Sequence, residues 1–164
     1  DKGETGMDRI LELLQKDAKL TAAKIAVMLG MEEAAVARAI QEYEADGTIL
    51  AYRAILNDEK LDSAPVRALI EIRVMPSKGH GFEKVARYIS QYDEVRSVSL
   101  MSGGFDLCAE VDGDNMRDVA LFVAEKLAVI DGVMGTTTHF VLRKYKDEGV
   151  FYKFEEKDER GYTL

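Results

Sequence analysis

Apolar side chains recur at three- and four-residue spacing from Met7 onward, so Met7, Ile10, Leu11 and Leu14 share one face of a predicted helix. Asp17 to Leu20 breaks the pattern. Thr21 then offers a hydroxyl as N-cap for a second short helix, Ala22 to Met28, with Ile25, Ala26 and Leu29 facing inward. Gly30 suits the left-handed geometry that ends such a helix. A third helix is predicted from Glu33 to Ala45, with Val36, Ile40 and Tyr43 on its inner stripe and Gly47 as its stop. Three short helices with a tight Leu29-Gly30-Met31 turn between the second and third read as a helix-turn-helix. Thr48 to Leu56 (TILAYRAIL) is β-prone and is expected to continue as a wing or linker strand.

After a polar, aperiodic stretch from Asn57 to Pro65 the periodicity changes. Val66, Ala68, Ile70, Ile72 and Val74 alternate with Arg67, Leu69, Glu71 and Arg73, the pattern of a half-buried strand. Phe82, Val85, Ala86 and Ile89 form a helical stripe. Val95 to Met101 and Asp106 to Val111 read as strands joined by Ser102-Gly103-Gly104-Phe105. Met116 to Ile130 is helical, with Val119, Ala120, Val123 and Leu127 inward, and Val133 to Tyr145 is a last long strand. The order β-α-β-β-α-β is the ferredoxin-like arrangement, which leaves one sheet face bare, and homodimerisation through that face is expected. The expected fold is thus α+β, a winged helix-turn-helix followed by a ferredoxin-like sandwich. Its expected divisions are a loose arm or cloning remnant at 1–6, the helix-turn-helix at 7–50, a β linker at 51–65, a ferredoxin-like effector and oligomerisation domain at 66–146, and a C-terminal extension at 147–164. That extension, with Val150, Phe151, Tyr152 and Phe154 beside the charged run EEKDER, is either a solvated arm or a packing element for a neighbouring subunit.

Composition narrows the function. The chain holds 22 Lys+Arg and 30 Asp+Glu in 164 residues, a net charge of −8. That balance speaks against generic nucleic-acid binding, which works by neutralising phosphates. Residues 1–60 alone carry 8 basic and 12 acidic side chains, a net of 8 − 12 = −4. No apolar run approaches the ~18 residues of a membrane span, and no signal-peptide pattern opens the chain. The lone Cys108 excludes an internal disulfide framework and a Cys-based zinc site, and suits a reducing cytoplasm. His80 and His139 are the only histidines and no motif surrounds either, so no catalytic set emerges. Asp112-Gly113-Asp114-Asn115 superficially suggests calcium, but Arg117 stands where that loop needs Gly and Val123 where it needs Glu. A turn followed by a helix capped near Asp114 is the simpler account; neither metal nor cofactor is implied.

Two segments remain as candidate sites. On the third helix only Arg38 and Gln41 offer reach toward base edges or phosphates, beside Glu42 and Glu44. Arg38 could pair with a guanine edge, or with Glu42 one turn on. In SGGFDL, adjacent glycines let the backbone turn tightly and approach an anion, and Asp106 supplies a carboxylate for an ammonium. The same residues make an ordinary Gly-Gly hairpin.

Four segments in this order, MDRILELLQKDAKLTAAKIAVMLG, VARAIQEYEADGTI, SGGFDL and GVMGTTTHFVLRKYK, resemble the leucine-responsive (Lrp/AsnC) family of transcriptional regulators from Met7 to about Lys146. The resemblance implies a cytoplasmic regulator that binds double-stranded operator DNA. It further implies a C-terminal domain that assembles dimers, up to octamers, and senses a small molecule, usually an amino acid. On this resemblance the DNA contacts are Thr21, Glu33, Ala37, Arg38 and Gln41. The effector pocket is Gly103, Gly104, Phe105 and Asp106 with Thr136 and Thr138, and Thr137 is a further candidate hydroxyl. Two features depart from the family: on the third helix Met31-Glu32-Glu33 replaces the usual Leu-Ser opening and Ala39 stands where an Arg is usual, and the tail beyond Lys146 is longer than in the commonest members. The alternative is a small-molecule-binding assembly protein whose helix-turn-helix holds DNA weakly or not at all.

Overall fold

The computed structural model describes residues 8–75 and 81–152. The expected arm at 1–6, Met7, His80 and the tail from 153 onward lie outside the described residues. The chain divides into two compact units, 1–55 and 56–164.

The first unit is three helices, α1 (Arg9–Lys16), α2 (Ala22–Leu29) and α3 (Glu33–Ala45). Asp8 caps α1 by accepting from the Ile10 N–H at 2.7 Å, and its other oxygen accepts from the Tyr43 hydroxyl of α3 at 2.8 Å. That one carboxylate therefore starts the first helix and ties it to the third. It also pushes the Tyr43 hydroxyl pKa up, since ionising the phenol would lose this bond. Thr21 caps α2 as expected, accepting from the Lys24 N–H at 3.3 Å. Gly30 takes φ +66° and lets the chain leave α2 in the left-handed turn. The core is Ile10, Leu14, Ile25, Ala26 and Val36. The expected strand over Thr48 to Leu56 is not formed: residues 50–56 are exposed and belong to no helix or strand. Its β-branched and aromatic residues favour extension, but a strand needs a neighbour to exchange hydrogen bonds with.

The second unit is β1 (Val66–Val74), α4 (Gly81–Ile89), β2 (Val95–Leu100), β3 (Leu107–Gly113), α5 (Met116–Phe122), a π turn (Val123–Leu127) and β4 (Val133–Phe140), followed by a small hairpin of β5 (Lys146–Asp147) and β6 (Val150–Phe151). The sheet runs β2-β3-β1-β4, and every neighbouring pair is antiparallel. This is the ferredoxin-like topology. Ala68, Ile70, Ile72 and Val74 bury one sheet face against Val85 and Ile89 of α4 and Val119, Phe122, Val123 and Leu127 of the second helix. Each of these side chains larger than Ala68 contributes about 1.5–3 kcal/mol relative to exposure.

Several details differ from expectation: β2 ends at Leu100 rather than Met101, β3 spans Leu107–Gly113 rather than Asp106 to Val111, and Ala120, expected inward, is exposed. The second helix is not α-helical throughout: Ala128 N–H reaches back five residues to the Val123 carbonyl at 2.8 Å. At about 100° per residue an unbroken α-helix would aim Lys126 along the inner stripe with Val119 and Phe122. The wider turn instead buries Leu127 completely and leaves Lys126 exposed, where it bonds Glu94. The helix is capped next to Asp114, by Asn115, which accepts from the Asp118 N–H at 3.0 Å. Finally, β4 stops at Phe140 opposite Ala68, with one more bond from Val141 to Arg67, because β1 itself begins at Val66.

The bare sheet face is polar. Arg67 bonds Asp112 at 2.8 Å and lies 3.2 Å from Glu110 and 3.5 Å from Asp58, and Arg96 meets Asp112 at 2.9 Å. His139 stands 3.1 Å from Glu71. Burial, then Glu71 and Glu110, pushes the Cys108 thiol on this face above its ordinary value. Cys108 in the native protein should therefore react with iodoacetamide at pH 8 more slowly than in the denatured chain, with a rate–pH profile displaced upward. Coincident profiles would contradict the assigned environment.

Candidate DNA-reading helix and ligand loop

On α3 the direction opposite buried Val36 decides what faces outward. At about 100° per residue, Ala34, Arg38, Gln41 and Ala45 fall within about 60° of one another around that direction. All four are exposed. The face is flat at its ends, where alanines permit close approach, and bears two long polar side chains in the middle. Arg38 and Gln41 therefore share one surface, as expected. Ala37 is half-buried at its edge, while Glu33 falls roughly 100° away in the first turn. Thr21 stands at the start of α2 with its oxygen accepting the capping bond, which leaves its O–H to donate.

The acidic residues flank this face rather than occupy it. Glu44 accepts from the Tyr52 hydroxyl at 2.9 Å, which holds the carboxylate to the side. The possible Arg38–Glu42 ion pair does not form among the described residues, so the Arg38 guanidinium is available to another partner. Sequence spacing makes such a pair possible but does not decide the rotamers.

In the second unit the β2–β3 loop closes with the Met101 N–H bonding the Asp106 carbonyl at 2.8 Å. Gly103 has φ +151°, a value that side-chain-bearing residues rarely adopt, and Gly103 and Gly104 are both exposed with open space around them. Phe105 and Asp106 are half-buried. One Asp106 carboxylate oxygen accepts from the Val74 N–H at 2.7 Å, which pins the loop to the end of β1.

Thr136 and Thr138 lie opposite Ile72 and Ile70 on β4, so their side chains share the helix-covered face, whereas Thr137 lies opposite Glu71 on the bare face. Asp106 and Thr136 come to the same end of the sheet on either side of β1, roughly 9.5 Å apart by strand spacing. Thr138, opposite Ile70, lies farther along β4 from the loop that carries Phe105. An open cavity of about 490 Å³ lies elsewhere, between α4 and the π turn, lined by Tyr88, Tyr92, Lys126 and Asp131 among others. None of the predicted effector residues lines it. Gly135 and Arg73 stand beside Asp106 on the bare face, and sequence reasoning passed over both; the break that Gly135 makes in a β-forming strand was the available signal. No cluster of metal-ligating side chains occurs among the described residues, and no described helix is long and apolar enough to cross a membrane.

A three-helix unit with a helix-turn-helix, carried on the same chain as an α+β domain of ferredoxin-like topology, fits the class of DNA-binding regulators with a ligand-binding domain. Comparisons with known proteins agree on that class. Residues 9–49 match a winged helix-turn-helix DNA-binding model, and residues 67–151 match the Lrp/AsnC ligand binding domain. The chain is 40% identical over 152 residues to the Bacillus subtilis HTH-type transcriptional regulator YugG, covering 92% of each chain. It is 28% identical to the leucine-responsive regulatory protein of Haemophilus influenzae, over 84% of this chain and 82% of that one. A Neisseria meningitidis transcriptional regulator solved with L-methionine superposes with a TM-score of 0.69 at 23% identity, covering 87% and 94% of the two chains. A Mycobacterium tuberculosis feast or famine regulatory protein, also in complex with L-methionine, superposes with a TM-score of 0.69 at 18% identity, covering 84% and 90%. The chain belongs to the Lrp/AsnC family of transcriptional regulators: it is a DNA-binding regulator that carries a ligand-binding domain.

Proposed function

We propose that this regulator reads an operator through Arg38 and Gln41 of α3 and responds to an amino acid held at the β2–β3 loop. The observation that carries the reading is the outward surface of α3, where an unpaired guanidinium stands between alanines short enough to let the helix enter a major groove. Thr21 contacts a phosphate from the start of α2, with Glu33 and Ala37 at the margin of the contact. Gly103, Gly104, Phe105 and Asp106 form the effector site; Thr136 and Thr138, on the helix-covered face of the edge strand, lie on the other side of the sheet from the Asp106 carboxylate. The two solved relatives that hold L-methionine support an amino acid as the ligand class.

The active species is a homodimer that associates further, up to an octamer, so the effector pocket is completed between copies. The polar sheet face gives little hydrophobic reason for pairing. Support comes instead from the exposed run Leu50, Tyr52, Ile55 and Leu56, apolar and extended. Two recognition helices then meet a pseudo-palindromic site at one helical turn or a multiple of it. Effector binding changes DNA affinity, and DNA must change effector affinity by the same factor.

The test is fluorescence anisotropy with DNA from upstream of the protein's own coding region, in a salt series with and without each of the twenty L-amino acids. Specific binding that weakens steeply with salt and shifts with one group of amino acids is the expected result. No binding at low salt would favour an assembly protein that does not read DNA. Binding that no amino acid alters would remove the effector assignment.

A further inference from the structure

The cations of the bare sheet face are matched to carboxylates with one exception. Arg67, Arg96 and Lys144 each lie within 4 Å of an acidic side chain. Arg73 is exposed and has no ion-pair partner among the described residues. Its guanidinium instead lies across Gly135 of the neighbouring strand. A Cβ built at Gly135 would stand 3.0 Å from Nη2 and 3.7 Å from Nε and Cζ. Glycine in a strand costs order and commonly marks close approach of another group, and here the group is this guanidinium.

The β1–β4 register also shifts between Arg73 and Val74, where Val74 pairs with Val133 and Met134 is skipped. A bulge of this kind re-aims the side chains around it. Across β1 the register pairs Ile72 with Leu107, and one further step places Asp106 opposite Arg73. The two do not meet, because the Asp106 carboxylate is turned to the Val74 N–H. A fixed negative and an unpaired positive group therefore stand in one lateral row, Asp106–Arg73–Gly135, beside the Gly103-Gly104-Phe105 loop.

We propose that Arg73 is the carboxylate anchor of the effector site, pairing its guanidinium with a carboxylate of the bound amino acid while the ligand's ammonium faces Asp106. This rests on the amino-acid reading above. The outer positions of the row are two strand spacings apart, roughly 9.5 Å, and the guanidinium rests toward Gly135. The Asp106 carboxylate is drawn in to the Val74 N–H and the guanidinium lies over Gly135, so the span left between a ligand ammonium and carboxylate is shorter than those two spacings. An amino acid bridges that gap with its α-carboxylate or with a short acidic side chain. Gly135 keeps the guanidinium flat against the sheet and leaves its outer edge to the ligand.

Calorimetry on the full chain separates these cases. Each L-amino acid is titrated into the wild type, Arg73→Gln, Arg73→Lys and Gly135→Val, together with the α-amide of each binder and the pairs Glu/Gln and Asp/Asn. Arg73→Gln is expected to weaken the best binder tenfold or more while leaving binding of the form that lacks the matched carboxylate unchanged. Arg73→Lys should recover part of the loss, and Gly135→Val should reproduce it by displacing the guanidinium with its charge intact. A wild type that discriminates against α-amides identifies the α-carboxylate, and one that prefers Glu and Asp identifies the side chain. Binding in the wild type that Arg73→Gln leaves intact overturns the anchor alone. An equal loss for acid and amide forms, with an altered sedimentation coefficient, assigns Arg73 to an interface and also overturns it. A wild type that binds no amino acid overturns the sensing reading and the anchor with it.

Discussion

Ile25→Ala should abolish DNA binding while leaving the ligand-binding unit folded. Among the described residues Ile25 is fully buried in a small core of five buried side chains, Ile10, Leu14, Ile25, Ala26 and Val36, with half-buried neighbours such as Leu20 and Ile40 packed against it. Removing its branched side chain costs about 2–5 kcal/mol, the lost transfer energy plus the cavity left behind. A unit this small has only a few kcal/mol to lose. The second unit keeps a separate core, from Ala68 to Leu127, that contains none of these residues. Differential scanning calorimetry should therefore show one transition moved strongly down and another nearly unmoved, with no retardation of DNA at any salt. A single transition that shifts as a whole would mean that the two cores unfold together.

Arg38→Ala is the next largest effect expected, and it separates reading from mere attraction. A bidentate guanidinium–guanine contact is worth about 1–3 kcal/mol of discrimination, so specific affinity should fall roughly 5- to 150-fold. Affinity for unrelated DNA should fall much less. Glu42→Gln is the informative control. Removing a negative charge beside the reading face should strengthen specific and non-specific binding alike, since Coulomb repulsion carries no sequence information. If Arg38→Ala lowers both affinities equally, Arg38 contacts phosphate and the base reader lies elsewhere.

The acidic balance, −8 over the chain and −4 over residues 1–60, counts charges without their direction. On α3 the directions differ. Glu44 is held by Tyr52, Glu33 lies in the first turn away from the outer face, and the residues that point outward are Ala34, Arg38, Gln41 and Ala45. Helical spacing already contained this placement. It did not contain the choice between Arg38 pairing with Glu42 and Arg38 remaining unpaired, because that depends on rotamers.

Much of the fold was legible for the same reason. Strand β1 announced itself by alternation, α3 by its Val36–Ile40–Tyr43 stripe, and β-α-β-β-α-β by the order of patterns. What resisted was anything set by a neighbour. The strand expected over Thr48 to Leu56 has no partner to bond, and β4 ends where β1 begins. The π turn follows from a conflict between Leu127 and Lys126 over the same inward direction, which periodicity alone averages away. The site shows the same division: the SGGFDL loop stood out, but the anchoring of Asp106 to the Val74 N–H and the resting of Arg73 on Gly135 come from strand register.

The extended run from Leu50 to Leu56 has one more consequence. Leu50 is 91% exposed and the segment contains a single charge, Arg53. A stretch with open backbone donors and acceptors and apolar side chains is a template for any passing strand, and one cation is a thin guard against it. The run proposed above as a contact with a second copy is therefore also a solubility hazard. Should the proposed dimer cover it, chains without a partner are the ones expected to aggregate first.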